Sequence, residues 1–86
     1  MTLPMSTNEK RAKKEIVIDT LSKIQRLADT AVGCLMLSAD GEDKEKEFTG
    51  EYVIYAKNMA LEIAEKGAVV DHFLHEILDA PLDDQP

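Results

Sequence analysis

The feature that most constrains the fold of this chain is a pair of long apolar patterns, separated by a short acidic segment that contains a glycine. The first pattern runs from Val17 to Leu35 and the second from Phe48 to Ile77, each in steps of three and four residues. This spacing is typical of one face of an α-helix. Further apolar residues flank each face, so each helix is expected to contact two or more neighbours.

Sequence signals mark both ends of the first helix. Ser6 and Glu9 fit the capping box, in which the serine side chain accepts a hydrogen bond from the amide three residues later. Gly41, in the acidic segment, suits the left-handed conformation that ends many helices. We therefore predict helix 1 at about residues 9–38 and an acidic turn at 39–44.

The second helix is predicted at about residues 45–78, because Pro81 lies just beyond its last apolar residues. Gly67 follows a lysine, which is a common helix ending, but the apolar spacing continues through it unchanged. We predict a continuous helix; the alternative, a break at Gly67, gives a three-helix arrangement. Residues 1–8 are predicted to be a flexible tail and residues 79–86 an acidic tail.

The distribution of charge predicts that the two helices run antiparallel. Residues 1–26 hold six lysines and arginines against three acids, whereas the rest of the chain holds four lysines against fourteen acids. An antiparallel hairpin places the basic start of helix 1 beside the acidic end of helix 2. Because two helices cannot cover two wide apolar faces, we predict an all-α antiparallel helical hairpin that dimerises into a four-helix bundle.

Composition excludes several classes of protein. The longest apolar stretch, residues 31–37, is far shorter than the roughly 20 residues of a membrane-spanning helix. The first ten residues lack the apolar core of a secretory signal, and either Met1 or Met5 can be the natural start. One cysteine, Cys34, cannot form an intrachain disulfide, so we expect a cytoplasmic protein.

Two histidines near the end of helix 2 are the only metal-ligating candidates in the pattern. Four-residue spacing places His72 on the same side as Glu76, and His75 on the same side as two aspartates. The di-iron spacing Glu-x-x-His is absent, so we interpret His72, His75 and Glu76 as a solvated polar face. No metal, cofactor or catalytic residue is expected.

Two further segments raise the question of DNA binding. Residues 63–74 resemble the core of a helix-turn-helix repressor, but the segment that corresponds to its recognition helix has no arginine or lysine. Residues 10–14 form a basic run at the start of helix 1. The formal charge of the whole chain is −7, so nucleic acid is not expected to be the main partner.

A short likeness to known proteins lies at the end of helix 1. Residues 35–38, which close the helix before the acidic turn, resemble small bacterial helical hairpins, among them biofilm-regulator proteins. A likeness of four residues implies no function.

The leading functional prediction is a small acidic intracellular protein-interaction module, acting as an adaptor, inhibitor or regulator through helical faces. We expect a homodimer that also binds an unidentified protein partner, and no membrane contact. The residues expected to carry these contacts are apolar: Leu21, Ile24, Leu35, Tyr52, Met59, Ile63, Phe73 and Ile77. The alternative is a dimeric transcription-associated regulator that contacts DNA through the basic start of helix 1.

Overall fold

A computed structural model describes residues 3–38, 48 and 50–82 of the chain. It contains two long helices, α1 (Thr7–Ser38) and α2 (Glu51–Asp79), and no β-strand in these residues. The two helices pack against each other, which confirms the predicted all-α helical hairpin. The predicted acidic turn, the Gly41 cap and residues 83–86 lie outside the described residues.

The start of α1 is fixed by the capping signal that the sequence predicts. The Ser6 hydroxyl accepts a hydrogen bond from the Glu9 amide at 3.1 Å, and the Ser6 carbonyl accepts one from the Lys10 amide at 3.0 Å. These bonds satisfy amides of the first turn that have no partner inside the helix. The helix begins at Thr7, two residues before the predicted start at about residue 9.

The start of α2 is set by Gly50. Its backbone is extended, with φ −75° and ψ 171°, and its carbonyl accepts hydrogen bonds from the amides of Val53 and Ile54. This long helix begins at Glu51; residues 45–47, where the predicted helix starts, lie outside the described residues. It continues through Gly67 without a break, as predicted, so the alternative three-helix arrangement is not observed.

The helices are antiparallel, with the start of α1 beside the end of α2. The Lys10 ammonium lies 2.9 Å from the Ile77 carbonyl. Seven residues further along α1 and seven residues back along α2, the next two residues at the same height are Val17 and Val70. Both are buried. The hairpin measures 68 × 21 × 12 Å. Its smallest dimension is the diameter of one helix, about 10–12 Å, so the fold is a single layer.

The segments before α1 and after α2 close the open end of the hairpin. Met5 is buried, its amide donates a hydrogen bond to the Pro81 carbonyl at 2.9 Å, and it forms an isolated β-bridge with Leu82. Ala80 is the most buried apolar residue, 2% exposed. The described parts of the predicted flexible tail at residues 1–8 and acidic tail at residues 79–86 are thus in contact with each other.

In the part of the chain that the structure describes, neither helix is both long and apolar enough to cross a lipid bilayer.

Candidate interaction surfaces

One row of residues on each helix forms the seam between them. The seam residues recur every seven positions: Val17, Ile24 and Ala31 on α1, and Ala56, Ile63, Val70 and Ile77 on α2. On a helix, the residues three and four positions after a seam residue lie on opposite sides of it. Because the helices are antiparallel, the "plus three" rows of both share one broad face of the layer, and the "plus four" rows share the other.

The plus-three rows are partly covered by the packing of the hairpin. They contain Leu27 and Cys34 on α1, and Met59 and Phe73 on α2, and all four are half-buried. Met59 and Phe73 are large side chains on this side, and the Lys13 ammonium of α1 lies over the Phe73 ring. We call this side, with its charged residues, the mixed face.

The plus-four rows form a second face, on which Leu21, Leu35, Ala60 and Leu74 are exposed and the other residues are half-buried. We call it the apolar face, and its residues are Leu21, Ala28 and Leu35 on α1, and Val53, Ala60, Gly67 and Leu74 on α2. Leu21 is 47% exposed, and Leu35 and Leu74 are exposed to a similar extent. The exposed side chains of Ile18 and Val32 extend the face along the outer edge of α1. An apolar surface running along both helices is unusual for a monomer in water.

The residues predicted to make contacts divide between these locations. Five of them, Ile24, Met59, Ile63, Phe73 and Ile77, are half-buried. Leu21, Leu35 and Tyr52 are exposed. The sequence pattern placed Leu21 and Leu35 in one stripe with Val17, whereas the structure assigns them to a different face from the seam.

The basic start of α1 contacts the carboxyl end of α2. The Lys10 ammonium donates hydrogen bonds to the carbonyls of Ile77, at 2.9 Å, and Ala80, at 2.7 Å. The last carbonyls of a helix have no partner within it and carry partial negative charge, and the last turn of α2 has no basic residue of its own. The Lys10 cation is therefore unfavourable at the positive end of the α1 dipole but stabilises the negative end of the α2 dipole.

Lys13 makes a second polar contact between the helices. Its ammonium pairs with the Oε2 atom of Glu76 and lies 5.0 Å from the centre of the Phe73 ring. His72 pairs with the Oε1 atom of the same carboxylate. The hydrogen bond from Lys13 lowers the pKa of Glu76 below its ordinary value, and the charges of Lys13 and His72 add to this effect against a partial loss of hydration.

The candidate metal ligands are not brought together. His72 contacts Glu76, whereas His75 lies 4.0 Å from Asp71 and 3.8 Å from Asp79, on another side of the helix. No group of three histidine, cysteine or acidic side chains in the described residues could hold a metal ion.

The two segments considered for DNA binding have different outcomes. Residues 63–74 are continuous helix, so the turn of a helix-turn-helix motif is absent from this segment. In the basic run, Lys10 and Lys13 are engaged with α2, while Arg11 and Lys14 are exposed.

A shallow open cleft of about 290 Å³ lies on the mixed face near the middle of the hairpin. It is lined by Lys23, Arg26, Leu27, Thr30, Glu62 and Lys66. Sequence spacing places Lys23 and Arg26 near each other, but only the antiparallel register brings Lys66 to them.

Comparison of the chain with protein-family models, curated proteins and solved structures found no match.

Proposed function

We propose that this protein is a small acidic interaction module whose working unit is a homodimeric four-helix bundle. The observation that carries the proposal is the apolar face: a layer one helix thick leaves Leu21, Leu35 and Leu74 of the plus-four rows exposed to water. Stacking a second hairpin on this face completes the two-layer arrangement by which helical domains ordinarily bury their apolar residues.

The dimensions of the face support this proposal. A helix of 29 residues is about 44 Å long at 1.5 Å per residue, and the layer is 21 Å wide. The footprint of each copy is therefore about 900 Å², large enough to hold an interface of the roughly 800 Å² per partner that is typical of stable protein–protein complexes.

Dimerisation through the apolar face leaves both mixed faces of the bundle at the surface. There the apolar residues Ile16, Tyr55 and Val69 alternate with charged residues such as Glu62 and Lys66. We assign the second protein partner to this surface, where apolar anchors surrounded by charges match the composition of a transient interface. The engagement of Lys10 and Lys13 within the hairpin favours this function over contact with DNA.

A matched pair of substitutions tests the self-association. Leu21, on the apolar face, and Ile16, on the mixed face, are 47% and 45% exposed. We expect Leu21→Glu to give a monomer and Ile16→Glu to remain a dimer, as measured by light scattering behind a sizing column. Equal masses for the two variants would contradict the assignment of the dimer to the apolar face.

A separate experiment tests the partner surface. We expect proteins captured from a lysate by the wild-type chain to be lost with Val69→Glu, while this variant keeps the dimer mass. Capture that is unchanged by Val69→Glu would contradict the role assigned to the mixed face.

A further inference from the structure

We propose that the cleft on the mixed face is a binding site for an acidic peptide segment of the protein partner. The inference rests on the proposed function, which assigns a partner to this face, and it adds the chemistry of the segment that the partner presents. Among the described residues that line the cleft, three are cations: Lys23 and Arg26 of α1, and Lys66 of α2. One lining residue, Glu62, is an acid.

The cations of the cleft are accessible to a ligand. Lys23 pairs with Asp19 at 3.1 Å, but both side chains are more than half exposed, and such pairs are weak in water. Within the described part of the chain, neither Arg26 nor Lys66 forms an ion pair. The hairpin therefore brings together positive charges that the acids described here compensate only in part. A cleft lined mainly by one sign of charge attracts ligands of the opposite sign.

The negative charge of the whole chain is compatible with an acidic ligand at this place. The formal charge of the chain is −7, whereas the residues that line the cleft carry a net charge of +2. Salt screens exposed charges that are more than about 8–10 Å apart. The affinity of a ligand in the cleft is therefore set mainly by the side chains that line it.

The composition of the cleft favours a peptide over a nucleic acid. A nucleic-acid strand carries a negative charge at every phosphate and requires a continuous positive groove, which Glu62 interrupts. A peptide can place carboxylates at the cations and donate a backbone N–H to Glu62. Leu27, which is half-buried, and the alkyl stems of the lysines offer apolar contacts to aliphatic side chains of the same peptide.

An exposed apolar residue adjoins the cleft. Val69 follows Lys66 by three residues on α2, so the two side chains are neighbours on the helix surface. Val69 is 46% exposed. A segment bound in the cleft can bury an aliphatic side chain against it, as in interfaces where apolar anchors lie inside a polar rim. We therefore expect the partner segment to combine acidic with aliphatic residues.

Fluorescence anisotropy with two short labelled peptides tests the proposal. One peptide alternates glutamate with leucine, and the control peptide has glutamine in place of each glutamate. We expect the acidic peptide to bind the wild-type chain at low salt, to bind more weakly as salt is added, and to bind far more tightly than the control. Equal binding of the two peptides, or no binding of either, would overturn the proposal.

The two arginines of the chain provide a matched pair of variants. Both are exposed, and Arg26→Glu and Arg11→Glu change the net charge equally, but only Arg26 lines the cleft. We expect Arg26→Glu to raise the Kd of the acidic peptide at least about tenfold, and Arg11→Glu to change it less than about twofold. Lys66→Glu tests the same cleft from α2 and should match Arg26→Glu. Equal effects of the two arginine variants would overturn the assignment to the cleft.

Glu62→Gln supplies a variant with the opposite expected effect. The substitution removes the one negative charge among the described residues that line the cleft, and keeps a side-chain oxygen that accepts hydrogen bonds. We expect the acidic peptide to bind at least about twofold more tightly to this variant. Unchanged or weaker binding would contradict recognition by charge.

Two further outcomes separate this proposal from its competitors. Tighter binding of a labelled single-stranded oligothymidylate than of the acidic peptide, lost with Arg26→Glu, would overturn the peptide in favour of a nucleic acid. No peptide binding, together with loss of the captured proteins in Val69→Glu, would overturn the acidic segment and leave the partner on the mixed face standing. Peptide binding that depends on Arg26, with capture unchanged by Val69→Glu, would support the peptide site and contradict the partner surface assigned to Val69.

Discussion

Replacement of Lys10 by methionine tests how the two ends of the hairpin are held together. Methionine keeps most of the apolar stem of the side chain but cannot donate to the carbonyls of Ile77 and Ala80. The substitution therefore removes two charge-assisted hydrogen bonds and the cation at the carboxyl end of α2, and leaves the packing of the stem in place.

The expected loss follows from the geometry of the contact. A hydrogen bond to a charged group contributes about 1.5–3 kcal/mol net, and a cation at a helix terminus about 0.3–1 kcal/mol. Lys10 is only half-buried, so water compensates for part of the hydrogen-bond contribution and part of the helix-terminus contribution when the ammonium is removed. We expect a loss of about 1–2 kcal/mol in the free energy of unfolding, or a fall in Tm of about 5–15 °C for a chain of this size.

Thermal unfolding followed by circular dichroism, at one fixed chain concentration, measures this loss. The control is Lys23→Met, which removes an exposed ion pair with Asp19, 3.1 Å apart within α1. Such pairs contribute about 0.5 kcal/mol or less. The role assigned to Lys10 is refuted if Lys10→Met lowers Tm no more than Lys23→Met does.

Three further predictions follow from local contacts. The pKa of Glu76 is lowered by its lysine partner, so the ionised carboxylate stabilises the fold at pH values above its ordinary pKa of 4.5. This stabilisation is lost as the pH falls through the lower pKa of the folded state. In urea titrations at decreasing pH, the difference in unfolding free energy between wild type and Glu76→Gln should therefore shrink towards zero. Ser6→Ala should cost about 1 kcal/mol by removing the cap of α1, while Ser22→Ala, inside the helix, should be neutral or stabilising. Val70→Ala should cost about 1.5–2.5 kcal/mol because it opens a cavity at a buried position, against less than about 0.5 kcal/mol for its exposed neighbour in Val69→Ala.

The overall fold was predictable because it depends on long patterns. The regular spacing of apolar residues on both sides of Gly67 favours helix more than one glycine disfavours it. The helix α2 therefore continues through Gly67, although a lysine followed by glycine commonly ends a helix. The opposite net charges of residues 1–26 and of the rest of the chain predicted the antiparallel direction. The cap at Ser6 was readable because the capping box is a local motif.

The faces of the hairpin could not be separated from the sequence. A heptad pattern shows which residues are apolar, but the rotation of each helix about its axis depends on which side chains fill the space between the helices. Here Met59 and Phe73 are half-buried on one side of the layer, whereas Leu21 and Leu35 are exposed on the other. The role of Lys10 was missed for a similar reason, because its partners are backbone carbonyls that no sequence pattern marks.

The central claim is that the hairpin is one half of a symmetric bundle, and the mass of the unmodified chain in solution tests it most directly. Sedimentation equilibrium over a dilution series should give a mass near 19 kDa, twice the 9.6 kDa of one chain, with dissociation only at low concentration. A mass of 9.6 kDa at every concentration would contradict the claim, because the apolar face would then remain in water without a second copy.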